Sequence, residues 1–326
     1  MRAWLVEQIT QEGAMRLADI PTPQPKSDEA LLRVEAAGLN FLDTLVVRGQ
    51  YQVKPPLPFS PGVEIAGTVA AVGPQSPFKV GDRIAAPCDF GGFAEYAIAR
   101  RFGSQLLPAG MPARDGVGIL TTYPTAYLAL KTRARMKAGD TVLVTAGAGG
   151  VGSATIHLAK LWGAKVIAAA GGVDKVAVCR ALGADHVIDY SIEKIVEAVR
   201  QITAADKIDG IDIAVDSVGG ATAIDCLRCL GWGGRLMIVG FAGGSVADLP
   251  SNRLLLKGAS AMGVYWGEHR KHDPALADTI FTEMFELYRA GKFRPLVRDV
   301  FKFGDAPAAL AALASRHSVG KVVIEN

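Results

Sequence analysis

Cysteine is scarce in this chain, with four in 326 residues, at Cys88, Cys179, Cys226 and Cys229. Four scattered thiols cannot make the disulfide framework that staples small secreted domains. Cys226-Leu-Arg-Cys229 is a single C-x-x-C, and a zinc half-site of that form needs a second pair, which the sequence lacks. The segment reads as a helix between two strands, so both are expected to be core cysteines without function. The five histidines, His157, His186, His269, His272 and His317, show no metal-ligand spacing and no evident carboxylate partner. His269 and His272 fall in a charged stretch expected to be a solvated loop.

Charge of one sign is missing too. The 35 basic and 32 acidic residues leave a net charge of +3, with no block of like charge. Neither a nucleic acid nor an anionic membrane is demanded as a partner. Long hydrophobic runs are absent, because charges and glycines interrupt every apolar stretch before it could span a bilayer. Met1-Arg2-Ala3-Trp4-Leu5-Val6-Glu7 lacks the apolar core of a signal peptide and reads as a strand. A cytoplasmic enzyme is the simplest class left.

What the chain does have is length and apolar content. Half of its residues are hydrophobic, and a chain of this size holds two domains, burying roughly 75% of the surface its unfolded form exposes. The first 120 residues read as β-rich, with short alternating runs at Ala30–Ala36 and Gly67–Val72 punctuated by Pro and Gly. Gly81-Asp82-Arg83 makes a turn before a strand at Ile84–Ala86. Residues 51–61 carry four prolines and exclude regular structure. From about residue 123, strand-like runs at 141–145, 165–170, 186–188, 211–216 and 234–239 alternate with helical patterns. That alternation marks a parallel sheet wound on both faces.

After Gly240 the rhythm changes again. Leu276, Ile280, Met284, Leu287 and Tyr288 make an apolar stripe on a helix stopped by Gly291. Asp305 with Pro307 opens a short alanine-rich helix, and Lys321–Ile324 is a closing strand. This tail is too short for a third domain. The expected division is 1–122 plus 261–326 for a β-rich domain, with a nucleotide-binding domain, 123–260, inserted between.

The most informative stretch is Thr141-Val142-Leu143-Val144-Thr145-Ala146-Gly147-Ala148-Gly149-Gly150-Val151-Gly152. A β-branched run breaks into G-x-G-x-x-G and then into a helical pattern from Ser153 to Trp162. Glycines let the backbone turn tightly and approach a pyrophosphate, and the new helix offers its free amides and positive dipole end. Gly147, Gly149, Gly150, Val151 and Gly152 are therefore candidate cofactor contacts. An NAD site usually places a carboxylate at the end of the second strand to grip the ribose 2′-OH. Here that position falls in Ala168-Ala169-Ala170-Gly171-Gly172, which has none. Lys175 stands close by, where an ammonium can meet a 2′-phosphate, so NADPH is favoured over NADH.

The motifs taken together resemble the medium-chain dehydrogenase/reductases, specifically the NADPH:quinone oxidoreductase (zeta-crystallin) branch. The resemblance runs nearly end to end. It rests on Ala37-Gly38-Leu39-Asn40-Phe41-Leu42-Asp43, Arg48-Gly49-Gln50-Tyr51, Pro61-Gly62-Val63-Glu64-Ile65-Ala66-Gly67, the glycine-rich turn, Asp216-Ser217-Val218-Gly219 and Ser315-Arg316 with Gly320-Lys321. It implies an α/β fold, a Rossmann doubly wound parallel sheet inserted in a β-rich GroES-like domain. It also implies a homodimer formed through edge strands of two nucleotide domains.

Zinc alcohol dehydrogenases of the same superfamily take a cysteine and a histidine ligand from two N-terminal motifs. Those positions are Asn40 and Val63 here, and neither an amide nor an isopropyl group replaces thiolate or imidazole on zinc. The structural-zinc lobe with its four cysteines is absent as well. The resemblance thus implies zinc-independent hydride transfer from C4 of NADPH to a small-molecule quinone or enone in the interdomain cleft, with orientation supplying most of the acceleration.

By the same resemblance Tyr51 lines the nicotinamide pocket, either as a proton donor or as a wall. Asn40 bonds substrate or nicotinamide ribose, or stabilises its own loop. Thr125, Gly240, Phe241, Val264 and Tyr265 flank the nicotinamide, although Phe241 and Tyr265 also read as core aromatics. Lys175, Tyr190 and Arg316 hold the 2′-phosphate, and Ser217 lies near the cofactor ribose. Asp43 and Glu64 read as structural hydrogen-bonders. A second tyrosine common in the quinone branch is Leu45 here. Three readings remain: quinone reduction, reduction of a 2-enal or enoyl thioester with Tyr51 as acid, and an NADPH-holding structural or RNA-binding protein. Thioester use would call for a basic groove, for which Arg253, Lys257, Arg270 and Lys271 are candidates. The absence of a basic-aromatic stripe weighs against nucleic acid.

Overall fold

A computed structural model describes residues 1–326. Its N-terminal stretch runs β1 (Arg2–Leu5), β2 (Arg16–Asp19), β3 (Ala30–Leu39), α1 (Phe41–Val46), β4 (Glu64–Val72), β5 (Arg83–Pro87), β6 (Tyr96–Ala99), β7 (Gln105–Leu106) and α2 (Ala113–Leu120). The middle opens with α3 (Thr122–Tyr127) and a π-helical turn, then alternates β8 (Thr141–Val144), α4 (Gly150–Leu161), β9 (Lys165–Ala170), α5 (Val173–Ala181), β10 (His186–Asp189), α6 (Ile195–Asp206), β11 (Ile211–Asp216), α7 (Gly220–Cys229) and β12 (Leu230–Ile238). The last part holds α8 (Ser251–Lys257), β13 (Ser260–Gly263), α9 (Trp266–His272), α10 (Pro274–Arg289), β14 (Asp299–Lys302), α11 (Ala306–Ala314) and β15 (Val322–Glu325). No helix is long and apolar enough to cross a membrane.

The chain divides into two compact units, one of 1–121 with 273–326 and one of 122–272. The second boundary therefore lies at 272/273 rather than 260/261. The reason is β13, which pairs in parallel with β12 through Arg235–Ser260 to Ile238–Gly263 and completes the nucleotide sheet.

In the first unit, β3 is the spine of a sheet ordered β14-β15-β3-β4-β5-β7, with β6 also paired to β3. Its core gathers Leu32, Val34, Leu39, Ile65, Val69, Ile84, Phe93 and Ile324. The C-terminal tail belongs here because β15 lies antiparallel on β3, Val322 opposite Leu39. Asp273 caps α10 by accepting the Leu276 N–H at 3.0 Å, and Pro274 opens the helix. The face α10 buries is Ala277, Ile280, Phe281, Met284, Phe285 and Tyr288. Leu276 and Leu287 flank that stripe half-exposed, and the two phenylalanines take their places.

In the second unit, six parallel strands run in the order β10-β9-β8-β11-β12-β13. Numbered from β8, that is 3-2-1-4-5-6, the doubly wound dinucleotide-binding order. β8, β9 and β11 are almost wholly buried because helices cover both faces, which is why they read as continuous apolar runs. Two expectations change. His269 and His272 lie on α9, anchored by buried Trp266, rather than in a loop. Two histidines also have carboxylates nearby: His272 Nε2 is 3.9 Å from Glu268, and His186 Nε2 is 3.9 Å from Asp206. Cys226 and Cys229 are buried on α7, and burial raises both thiols, Cys229 to about 12, so they pack as apolar groups.

Candidate active site

The parallel order of the second unit puts the loops after β8, β9, β11, β12 and β13 at one edge, the carboxyl ends of the strands, where ligands bind in open α/β sheets. The loop after β8 is shaped by its glycines. A Cβ on Gly152 would come 2.2 Å from the Ala146 carbonyl oxygen and 2.8 Å from Gly147 Cα. One on Gly147 would meet Cys179 Sγ at 2.9 Å. Ala146 turns the chain with φ of 47°, and Gly149 caps α4 in an extended conformation. The first helical bond of α4 runs from Ser153 N–H to the Gly149 carbonyl at 2.8 Å. The amides of Gly150, Val151 and Gly152 lie before it, with no carbonyl four residues back inside the helix. Such a cradle fits a pyrophosphate.

The second strand ends at Ala170, and Tyr190 lies against the next residue: a Cβ on Gly171 would meet Tyr190 Cε2 at 2.6 Å. The aromatic ring thus occupies the space above the strand end that lacks a carboxylate. Asp189 ties the two loops together, accepting from Gly172 N–H at 2.9 Å, Ser191 N–H at 3.0 Å and the Ser191 hydroxyl at 2.5 Å. Those bonds, led by the hydroxyl, hold its carboxyl below the usual range. Lys175 is half-buried in the first turn of α5.

The loop after β11 is organised by Asp216, which is fully buried. Its Oδ1 accepts from the Thr145 hydroxyl at 2.7 Å and Val218 N–H at 3.1 Å, and its Oδ2 accepts from Gly219 N–H at 2.9 Å. Ser217 begins this loop, and its carbonyl accepts from Ala242 N–H at 3.0 Å, stitching it to the Gly240-Phe241-Ala242 segment after β12. Phe241 lies against Gly219. Phe241 is 42% exposed and Tyr265 is 47% exposed, so neither is a core aromatic. Val264 is buried, and its N–H bonds the Ile238 carbonyl at 2.9 Å. Thr125 is buried in α3. That helix is pinned to α4 by Tyr123 Oη and His157 Nδ1, which are 2.7 Å apart. Burial pushes the His157 ring below its ordinary pKa.

Of the basic residues suited to a thioester groove, Lys257 and Lys271 are engaged within the protein. Lys257 Nζ donates to the Arg228 carbonyl at 2.9 Å and to the Leu230 carbonyl, capping α7, and Lys271 pairs with Glu268.

Asn40, Tyr51 and Arg316 belong to the first unit. Tyr51 is half-buried against its hydrophobic core, and Arg316 is exposed after α11 with φ of 61°. Asn40 joins β3 to α1. Its N–H donates to Asp43 Oδ2 at 2.7 Å, and its Oδ1 accepts from Lys321 Nζ at 2.7 Å. Lys321 also donates to Glu64 Oε2. This cluster lies deep: Asp43, Glu64 and Lys321 are 0%, 1% and 3% exposed. Gly38 makes room for it, since a Cβ there would meet Glu64 Oε2 at 2.6 Å and Lys321 Cε at 2.9 Å. Burial pushes Asp43 up to about 7, against the pull of Asn40 N–H and the Lys321 ammonium.

Sequence reasoning left Thr145 and Lys321 without roles. A lone lysine opening the apolar Val322-Val323-Ile324 strand was the available signal for the second.

These two units define a dinucleotide-binding sheet joined to a β-rich partner unit, and relatives give the architecture a family. Residues 26–123 match the alcohol dehydrogenase GroES-like domain, and residues 150–281 match the zinc-binding dehydrogenase family. The rat quinone oxidoreductase-like protein 2 is 40% identical over 91% of this chain and 84% of its own length. The pig quinone oxidoreductase is 32% identical over 94% of this chain and 92% of its own. The quinone oxidoreductase of Thermus thermophilus, solved alone and with NADPH, is 33% identical with a TM-score of 0.84, covering 100% of both chains. The chain belongs to the quinone oxidoreductase-like branch of the medium-chain dehydrogenase/reductase superfamily.

Proposed function

We propose that the protein is an NADPH-dependent oxidoreductase that reduces a quinone without zinc. The observation that carries this reading is the second unit's cradle. Gly149 and Gly152 shape a turn that admits a pyrophosphate, and the second strand ends under Tyr190 with no acid to grip a ribose diol. Lys175 and Tyr190 would meet the 2′-phosphate, with Arg316 adding a guanidinium; ammonium and guanidinium are the groups suited to that anion. When bound, NADPH supplies a hydride at nicotinamide C4. Ser217, Gly240, Phe241, Val264 and Tyr265, with Thr125, would orient the nicotinamide, and Asn40 and Tyr51 would serve the acceptor. Asn40 and Val63 offer no thiolate or imidazole where zinc enzymes of the superfamily hold their metal. Quinones accept hydride without a Lewis acid, so orientation is the chief contribution asked of the protein. Two copies joined along β13 would form the working dimer.

The test is NADPH oxidation by the purified protein with a small ortho-quinone, alongside NADH, a short 2-enoyl-CoA and a Tyr51→Phe variant. Quinone turnover that prefers NADPH and persists in Tyr51→Phe is expected, leaving the phenol a wall. Turnover of the thioester alone, collapsing in the variant, would overturn quinone reduction and make Tyr51 the acid.

A further inference from the structure

The buried ammonium of Lys321 stands between two oxygens, Glu64 Oε2 and Asn40 Oδ1. An ammonium has donors only, so the amide of Asn40 must turn its oxygen toward Lys321 and its Nδ2 away. That Nδ2 is buried and has no partner in the protein. A buried donor left unpaired costs free energy, and native proteins keep few of them. The backbone of Asn40 is fixed as well, because its N–H is held by Asp43.

We infer that Lys321 is a positioning residue for the reductase reaction, locking the Asn40 amide so that Nδ2 is presented as a hydrogen-bond donor to an acceptor oxygen of a bound ligand. The inference rests on the reading of Asn40 as a ligand contact. The bond from Lys321 is charge-assisted, and it draws electron density from the amide oxygen. Hydrogen-bonded groups polarise one another in a dry interior, so the opposite end of the amide becomes a stronger donor. Glu64 neutralises the ammonium and keeps it aimed. Its partner atom arrives from β4, Asn40 lies at the end of β3, and Lys321 immediately precedes β15. The chemistry so selected is an oxygen with a lone pair, a quinone carbonyl or a sugar hydroxyl, and not an N–H donor.

Removing Lys321 alone would strand a buried carboxylate and endanger folding. The test therefore removes both charges, Lys321→Met with Glu64→Met, in wild-type and Asn40→Ala backgrounds. NADPH affinity by fluorescence and kcat/KM with the ortho-quinone are read in all four proteins. We expect the charge-free protein to lose about tenfold in whichever parameter Asn40→Ala lowers, and to lose nothing further on the Asn40→Ala background. Lys321→Arg, which can still donate to both oxygens, should rescue to within about twofold. Asn40→Asp keeps an oxygen for Lys321 but offers no donor, and should lose as much as Asn40→Ala.

Full, additive loss in both backgrounds would make the pair merely structural and overturn the inference. Wild-type behaviour of Asn40→Asp would overturn it as well, and its behaviour does not depend on the charge-free protein folding. Wild-type values for Asn40→Ala in both parameters would refute Asn40 as a ligand contact, and the inference with it. Absence of quinone turnover in wild type would refute quinone reduction alone, with the affinity cycle still deciding the role of Lys321.

Discussion

Gly152 has no room for a side chain, since its Cβ would fall 2.2 Å from the Ala146 carbonyl oxygen. The backbone there is the turn itself, so relief requires moving the amides of Gly150, Val151 and Gly152. Gly152→Ala should cost about 1–3 kcal/mol of stability and weaken NADPH by more than about tenfold, read by thermal unfolding and fluorescence titration. Unchanged affinity would separate this turn from the cofactor. At Asp43 the relevant quantity is a proton. Its carboxyl is raised from 3.8 to about 7 by burial. Between those values the unfolded chain has released the proton while the folded protein keeps it, so rising pH favours unfolding across that window and has no further effect above it. The contribution is on the order of 4 kcal/mol. Urea unfolding from pH 4 to pH 8 should show stability falling more steeply with pH in wild type than in Asp43→Asn. Parallel curves would contradict the raised value.

Whole elements are joined by single side chains in the nucleotide unit. Asp216 at the end of β11 bonds Thr145 beyond β8 and two amides of its own loop. Asp216→Ala leaves those donors without their acceptor in a buried place. About 3 kcal/mol should be lost, with a lower Tm and weaker NADPH binding, and Thr145→Val should reproduce part of both effects. A variant with wild-type Tm would show that the loop holds itself. At the end of β9 the expected effect is selective: Lys175→Ala should raise the Kd for NADPH about tenfold, as for a charge-assisted bond, while leaving NADH unchanged. Equal weakening of both would remove Lys175 from the 2′-phosphate.

The same scale explains what could be read in advance. The glycine turn and the buried strands β8, β9 and β11 are local patterns of conformation and two-sided burial, so spacing alone reveals them. β13 escaped because it is a four-residue edge strand, exposed at Ser260 and Gly263, with no continuous apolar run. α9 escaped because its polar residues hide the single buried Trp266 that anchors it. The Lys321 cluster escaped for another reason. Lys321 and Asn40 are 281 positions apart, and only the pairing of β15 on β3 brings them together.

At the scale of the molecule, β13 is one of the two edges of the parallel sheet, with β10 at the other. An open edge is a template for another strand. Beside it in the chain stand α8, which buries none of its residues, and the β12 residue Trp232, which lies against Gly258 just past the end of that helix. Trp232, Leu255 and Leu256 are 77%, 80% and 73% exposed, an apolar set that a lone soluble unit rarely leaves open. A two-fold axis through the edge would pair β13 antiparallel with its copy and cover the same residues on both sides, as a self-complementary interface requires. Sedimentation should therefore give about twice the 34.2 kDa chain mass, falling to the chain mass only when the protein is diluted below the Kd of the dimer. Leu255→Glu with Leu256→Glu places charges in that face and should yield a monomer that keeps its NADPH affinity, because neither residue is near the glycine turn in sequence or among the cofactor candidates. Loss of affinity together with dimerisation would mean that the interface shapes the cofactor loops. A wild-type monomer at every concentration would leave the exposed face for a different partner.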